Sequence, residues 1–361
     1  MEQNRPLDEV QNLLTQGWIA YEALRIDEAL QAFNSAAALQ PDNYEAQLAL
    51  ARTFIRMRRE KDAITAARRC IELAPQRGEG YAALGVLSFL GDDLVKAQEQ
   101  LRQAIDLAPN DPESHLTLAQ VLADLHRYSE ATDELTRARK LIAHIENEHL
   151  RRQLEASELH ARTYVLLGQK KVAEAMASAR DLTEYEGENP YAACLAYSNL
   201  GLMEARLKHY DQAITYLQRA YSMNPYFYRA GSALGRVLFV KGQATRAVKV
   251  LGEVVRGMPD IDAHTRHAYA AALAKCGRRQ EAHEQYRLAI QARLKGLEWL
   301  VAYWQLVWLS DVGRLVVIGI ALAALAAWII FGKPSPQSLA FVGVLIIIVL
   351  MQQLLGRRRY H

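Results

Sequence analysis

The sequence predicts an all-α protein: helical hairpins repeating every 34 residues, followed by two transmembrane helices. Three observations carry this reading. Prolines at Pro41, Pro75 and Pro109, and again at Pro225 and Pro259, are spaced by 34. Small residues return at fixed places within each step, while the period-2 alternation of strands is missing. Two uncharged apolar runs follow the last repeat.

With the 34 residues 44–77 as template, the eighth position reads Gly17, Ala51, Gly85, Ala119, Gly201, Gly235 and Ala270. The twentieth reads Ala29, Ala63, Ala97, Ala131, Ala213, Ala247 and Ala282, and the twenty-seventh Ala36, Cys70, Ala104, Ala138, Ala220, Val254 and Ala289. Small groups at these places let two antiparallel helices approach closely. Larger apolar residues at the seventh position (Leu50, Leu84, Leu118, Leu200, Leu234) and the twenty-fourth (Phe33, Leu101, Leu135, Leu217, Leu251, Tyr286) are expected to fill the space between units.

This pattern resembles the tetratricopeptide repeat (TPR) family. The resemblance implies a helix A and a helix B per unit, stacked into a solenoid of about eight repeats over residues 1–294. The repeats fall near 10–43, 44–77, 78–111, 112–145, 154–193 (degenerate), 194–227, 228–261 and 263–294. Local signals agree with these steps. Asp111 and Pro112 suit the cap and first turn of a helix, and Gly91 falls in an inter-helix turn. Pro109 and Pro225 are separated by 14 residues more than three steps. About eight extra residues are expected from Asn147 on, about two in the turn of the fifth unit and about four before Pro190.

At the level of the whole chain no charge imbalance points to a polyanion partner. The 361 residues carry 43 basic and 40 acidic side chains, a net +3, and no nucleic-acid partner is expected. Cys70, Cys194 and Cys276 have no ligand spacing, so neither a disulfide framework nor a zinc site is expected. The first ten residues lack the apolar core of a secretory signal.

Residues 295–314 read as an amphipathic, Trp-rich capping or juxtamembrane helix, with Trp299, Trp304 and Trp308 suited either to a membrane interface or to covering the last repeat. Residues 315–332 and 338–356 read as two membrane spans, and 357–361 as a basic tail. Gly319, Ala323 and Ala327 recur every four residues and offer a packing face in the membrane. Arg314, Arg357, Arg358 and Arg359 flank the pair, whereas the loop between has only Lys333, which places both termini in the cytoplasm.

No phosphate loop, nucleophile elbow or paired zinc motif is present, so the chain reads as a non-enzyme without cofactor or metal. His264 and His267 share a helix face but lack further ligands at helical spacing. The resemblance implies that helix A positions 2, 5, 9, 12 and 13 line a concave, partner-binding groove. Carried over, these give Arg52 and Arg56 with Leu48 and Ile55 beside them, then Phe89, Arg206, Arg229, Arg236, Phe239, His264, His267 and Lys275. The expected partners are proteins, an acidic peptide among them, and the lipid bilayer. The residues with which some members hold chaperone C-termini are absent from the first three units, and only Asn199 resembles any of them. The sequence therefore points to a membrane-anchored scaffold or assembly factor. One alternative is a membrane-complex subunit that interacts mainly through its hairpin; a helical-repeat RNA binder is disfavoured because no repeated basic code runs through units one, three and four.

Overall fold

A computed structural model describes residues 5–310, with Leu315 and Gly319 beyond them. Apart from those two residues, the expected spans 315–332 and 338–356, the tail 357–361, and the packing positions Ala323 and Ala327 lie outside the described residues. Among the described residues no helix is long and apolar enough to cross a membrane.

The described chain is an all-α, TPR-like solenoid of seventeen helices, divided into two compact units at 261/262. The first unit contains α1 (Arg5–Glu22), α2 (Ile26–Leu39), α3 (Tyr44–Arg56), α4 (Glu60–Leu73), α5 (Glu79–Leu90), α6 (Leu94–Leu107) and α7 (Pro112–Asp124). It continues through α8 (Tyr128–Ala143), α9 (Glu148–Gly168), α10 (Val172–Thr183), α11 (Pro190–Arg206), α12 (Tyr210–Met223), α13 (Tyr228–Val240) and α14 (Ala244–Gly257). Side chains of Asn43, Asp93, Asp111, Asn147 and Asn189 accept from the first free backbone N–H groups of α3, α6, α7, α9 and α11.

Within each hairpin the turn has three residues, and its middle one is left-handed: Leu24, Arg58, Asp92, His126, Lys170, Lys208 and Gly242. The third residue donates its N–H five residues back, as in Arg25 to Ala20, Arg59 to Phe54 and Gln243 to Leu238, closing the helix end. Gly91 is not the left-handed residue of its turn; Asp92 is, at φ 64°.

The small eighth position is a socket for the twenty-fourth. A Cβ at Gly17 would lie 2.3 Å from Phe33, at Gly85 2.7 Å from Leu101, at Gly201 2.5 Å from Leu217 and at Gly235 2.3 Å from Leu251. The twenty-fourth residue thus packs inside its own hairpin, correcting the expectation that it fills the space between units. Phe33, Leu101, Leu217 and Leu251 are fully buried there.

The extra residues of the irregular stretch went into helices. α9 runs 21 residues and α11 17, where α3, α5, α7 and α13 have 12 or 13. The expected lengthening of the fifth turn does not occur, since Gln169–Lys171 is the same three-residue turn as the others. The first two turns of α9 are braced by Arg152 on Glu188 at 2.8 Å and by the Asn189 amide on the Gln153 carbonyl at 2.9 Å.

The described part of the second unit contains α15 (Ala263–Lys275), α16 (Arg279–Gln291) and α17 (Gly296–Leu309). Tyr269, Leu273, Ala282, Tyr286 and Ala302 form its buried interior. α17 is apolar on most of its circumference rather than amphipathic. Leu297 is 80% exposed and Leu300, Val301, Tyr303 and Trp304 are exposed beside it; Trp299 stacks on Tyr303 and Trp304 on Trp308.

Candidate functional site

Stacking of the hairpins in the first unit brings their A helices side by side. α3, α5, α7, α9, α11 and α13 line most of a half-open cavity of about 490 Å³, inside the ~300–1,000 Å³ range of ligand pockets. The first hairpin closes it against helices that follow some 200 residues later. The Tyr226 hydroxyl, in the turn before α13, donates to Asp27 at 2.6 Å across a separation of 199 residues. Leu24 packs among Cys194, Ala220, Ala230 and Phe227, while Tyr226 packs on the core of the first hairpins. The added turn of α11 supplies Tyr191, whose ring lies 4.3 Å from the Arg56 guanidinium; Tyr21 lies 3.5 Å from that guanidinium.

The charges lining the cavity fall into two groups. Arg52 pairs with Glu113 at 3.1 Å, which holds its pKa up, and Arg56 donates to the Tyr21 carbonyl at 2.7 Å. Glu79 is engaged by Arg77 at 2.6 Å and by the Tyr44 hydroxyl at 3.1 Å. Asp111 caps α7, with burial pushing its pKa up, and Asp124 accepts from the Tyr164 hydroxyl at 2.8 Å. In contrast, the side chains of Arg58 and Arg229 line the cavity without a hydrogen bond or ion pair among the described residues. Two buried atoms of wall residues are also without partners among the described residues: Nδ1 of His160 and Nδ2 of Asn199. Burial, with Arg229 adding to it, pushes the pKa of His160 down to about 4, so the imidazole is neutral at neutral pH.

Five of the residues expected in the groove meet here: Arg52, Ile55, Arg56, Phe89 and Arg229. Phe89 stands edge-on to Tyr164 at 6.0 Å. Leu48 is core instead, 5% exposed. Arg206, Arg236 and Phe239 do not line the cavity. His264, His267 and Lys275 belong to the second unit, where His264 Nδ1 pairs with Glu298 at 2.5 Å and His267 packs edge-on to Tyr286 at 5.5 Å. Among the described residues no group of three or more His, Cys, Asp or Glu is placed to hold a metal. Sequence reasoning missed Tyr21, Glu113, His160, Tyr164, Tyr191 and Tyr226. Tyr191 lies in the inserted turn and Tyr226 in a connecting turn, so neither falls on a helix A groove position.

Comparisons with known proteins agree on the fold. Residues 14–77 and 205–276 match tetratricopeptide repeat families, and residues 56–138 match the family of anaphase-promoting complex, cyclosome, subunit 3. The human protein O-mannosyl-transferase TMTC3 is 25% identical over 275 residues, covering 65% of this chain and 30% of that protein. Human protein O-mannosyl-transferase TMTC1 is 32% identical over 96 residues, 27% of this chain and 11% of that protein. The chain therefore spans less than a third of the length of either curated relative. The crystal structure of the APC/C hetero-tetramer Cut9–Hcn1 superposes with a TM-score of 0.54 at 14% identity, over 81% of this chain and 54% of that one. At this identity the likeness is one of fold alone. The chain carries tetratricopeptide repeats, in a scaffold consistent with protein interaction.

Proposed function

For a chain built of tetratricopeptide repeats, we propose a membrane-anchored scaffold or assembly factor that receives a protein segment in the cavity of its first unit. The observation that carries this reading is the cavity wall. It combines aromatic surface from Phe89, Tyr164 and Tyr191 with unpaired cations at Arg58 and Arg229, the pairing of apolar anchors with fixed charge used in peptide recognition. The partner segment lays an apolar side chain against Phe89 and directs its acidic groups toward the free guanidinium groups. Anchoring rests on the apolar runs 315–332 and 338–356, with both termini cytoplasmic. No transferase reaction is assigned to this chain, because the matched segments are a minority of the relatives that carry that name.

A second reading has one observation of its own. The exposed Leu297, Leu300, Trp299 and Trp304 of α17 suit a membrane complex in which the C-terminal region is the main interaction element.

Photo-crosslinking in native membranes separates the two. A crosslinking residue at Val86 in the cavity, at Leu300 on α17 or at Lys249 on exposed α14 is placed in the full chain. A discrete adduct from Val86 alone supports the cavity; an adduct from Leu300 alone supports the second reading. Adducts of equal yield from all three positions would defeat both. Alkaline carbonate extraction tests the anchor: release of the full chain into the supernatant would overturn it.

A further inference from the structure

α17 turns two unlike sides to its surroundings. Ala302 is fully buried, whereas Leu297, Leu300, Val301 and Trp304 are exposed, and their spacing of three, four and seven residues gathers them into one stripe on the opposite side of the helix. We infer that this stripe is a membrane seat: α17 lies along the surface of a bilayer with these side chains among the outer acyl chains. The inference rests on the anchoring by residues 315–332 proposed above and adds which part of the second unit meets the lipid.

The buried side of the helix is fixed by its own unit. α17 packs on α16 and α15, and Glu298, the one charged side chain in the helix, meets His264 Nδ1 of α15 at 2.5 Å. A helix bordering water would turn a polar face outward; here the outward face is the apolar one. Trp299 stacks on Tyr303 and Trp304 on Trp308, rings that join an apolar body to a single polar group and suit the headgroup level of a bilayer. A protein partner would ask for about one hydrogen bond per 100–200 Å² of contact, and a stripe of Leu and Val offers none from its side chains.

Chain length then limits the distance to the bilayer. From Leu309 to Leu315, where the apolar run begins, there are six residue steps, at most about 20 Å when fully extended. A run that enters a bilayer therefore brings α17 to its surface. Arg293 and Lys295, exposed in the turn before α17, and Arg314 after it flank the helix with charge suited to lipid phosphates, with Asp311 the one acid between the helix and the run.

The test reconstitutes the full chain in phosphatidylcholine vesicles containing a lipid with a photoactivatable group on its acyl chain, and maps the adducts by mass spectrometry. Adducts are expected on the α17 stripe and on residues 315–332, with a yield about tenfold lower on exposed α14. Leu300→Glu combined with Val301→Glu should cut the α17 yield by about tenfold while residues 315–332 keep theirs. Both side chains are exposed, so hydrogen exchange in α15 and α16 should be unchanged. Adducts on 315–332 with none on α17 would overturn the seat and leave the anchor standing. Adducts on α17 alone would support the seat and overturn the anchor, and adducts on neither would defeat both. Capture of a second copy of the chain by a crosslinking residue at Leu300, in place of lipid, would overturn the seat in favour of self-association.

Discussion

Two histidines on A helices of the first unit show how the same side chain serves opposite ends. In α7, His115 is 5% exposed and both its ring nitrogens have partners: Nδ1 meets Glu134 at 2.6 Å and Nε2 the Pro109 carbonyl at 3.2 Å. The Glu134 contact raises the pKa of His115 despite burial. In α9, His160 faces the cavity with Nδ1 unpartnered, and burial beside Arg229 lowers its pKa to about 4. The hairpin interior is closed chemically as well as sterically. The cavity wall keeps hydrogen-bonding capacity in reserve.

The sharpest contrast comes from the sealed side. Phe33→Ala would empty the socket above Gly17 and is expected to cost about 3–5 kcal/mol, seen as loss of hydrogen-exchange protection in α1 and α2. Glu134→Ala would strand His115 and is expected to cost about 2–3 kcal/mol, read as faster exchange in α7 and α8. A cost below about 0.5 kcal/mol would break the claim that this pair is structural.

Proton linkage should separate the two histidines by sign. The folded pKa of His115 lies above its ordinary 6.5, so its stabilisation is complete below that pH and is lost as pH rises through the folded value. For His160 the folded state resists protonation, so stability is lost as pH falls from 6.5 toward about 4. Urea unfolding against pH should therefore lose part of its alkaline limb in His115→Gln and part of its acid limb in His160→Gln. The same limb flattening in both variants would erase the distinction.

The smallest effects lie on the cavity wall. Tyr226→Phe removes one hydrogen bond from the ring closure and should cost about 1 kcal/mol, with faster exchange confined to α1, α2 and the turn before α13. Asn199→Leu should change stability by less than about 0.5 kcal/mol or increase it, because its amide nitrogen has no partner to lose among the described residues. A loss of more than about 1 kcal/mol there would show that the amide is already satisfied.

Much of the scaffold was legible. Asp111 and Pro112 sit where capping chemistry requires, and the Gly and Ala series at the eighth position forecast the close approach of paired helices. The left-handed turn residues were hidden. Leu24, Arg58, Asp92, His126, Lys170 and Lys208 carry no glycine signal, since the hydrogen bonds closing each helix end offset the backbone cost. The fate of the irregular stretch was hidden too, because residues 148–155 are as compatible with helix as with a loop.

The candidate site was half legible. Arg52, Arg56, Phe89 and Arg229 follow from their places in the repeat, but which arginine is free does not, because the partner of Arg52 lies 61 residues away. Sequence by itself determined the helical hairpins, their period and the sockets inside them, since those contacts join residues less than one repeat apart. Tertiary structure decided the closure of Tyr226 on Asp27, the cavity this creates and the partnerless donors within it. Those depend on helices brought together by the accumulated twist of many repeats, a sum that no single repeat encodes.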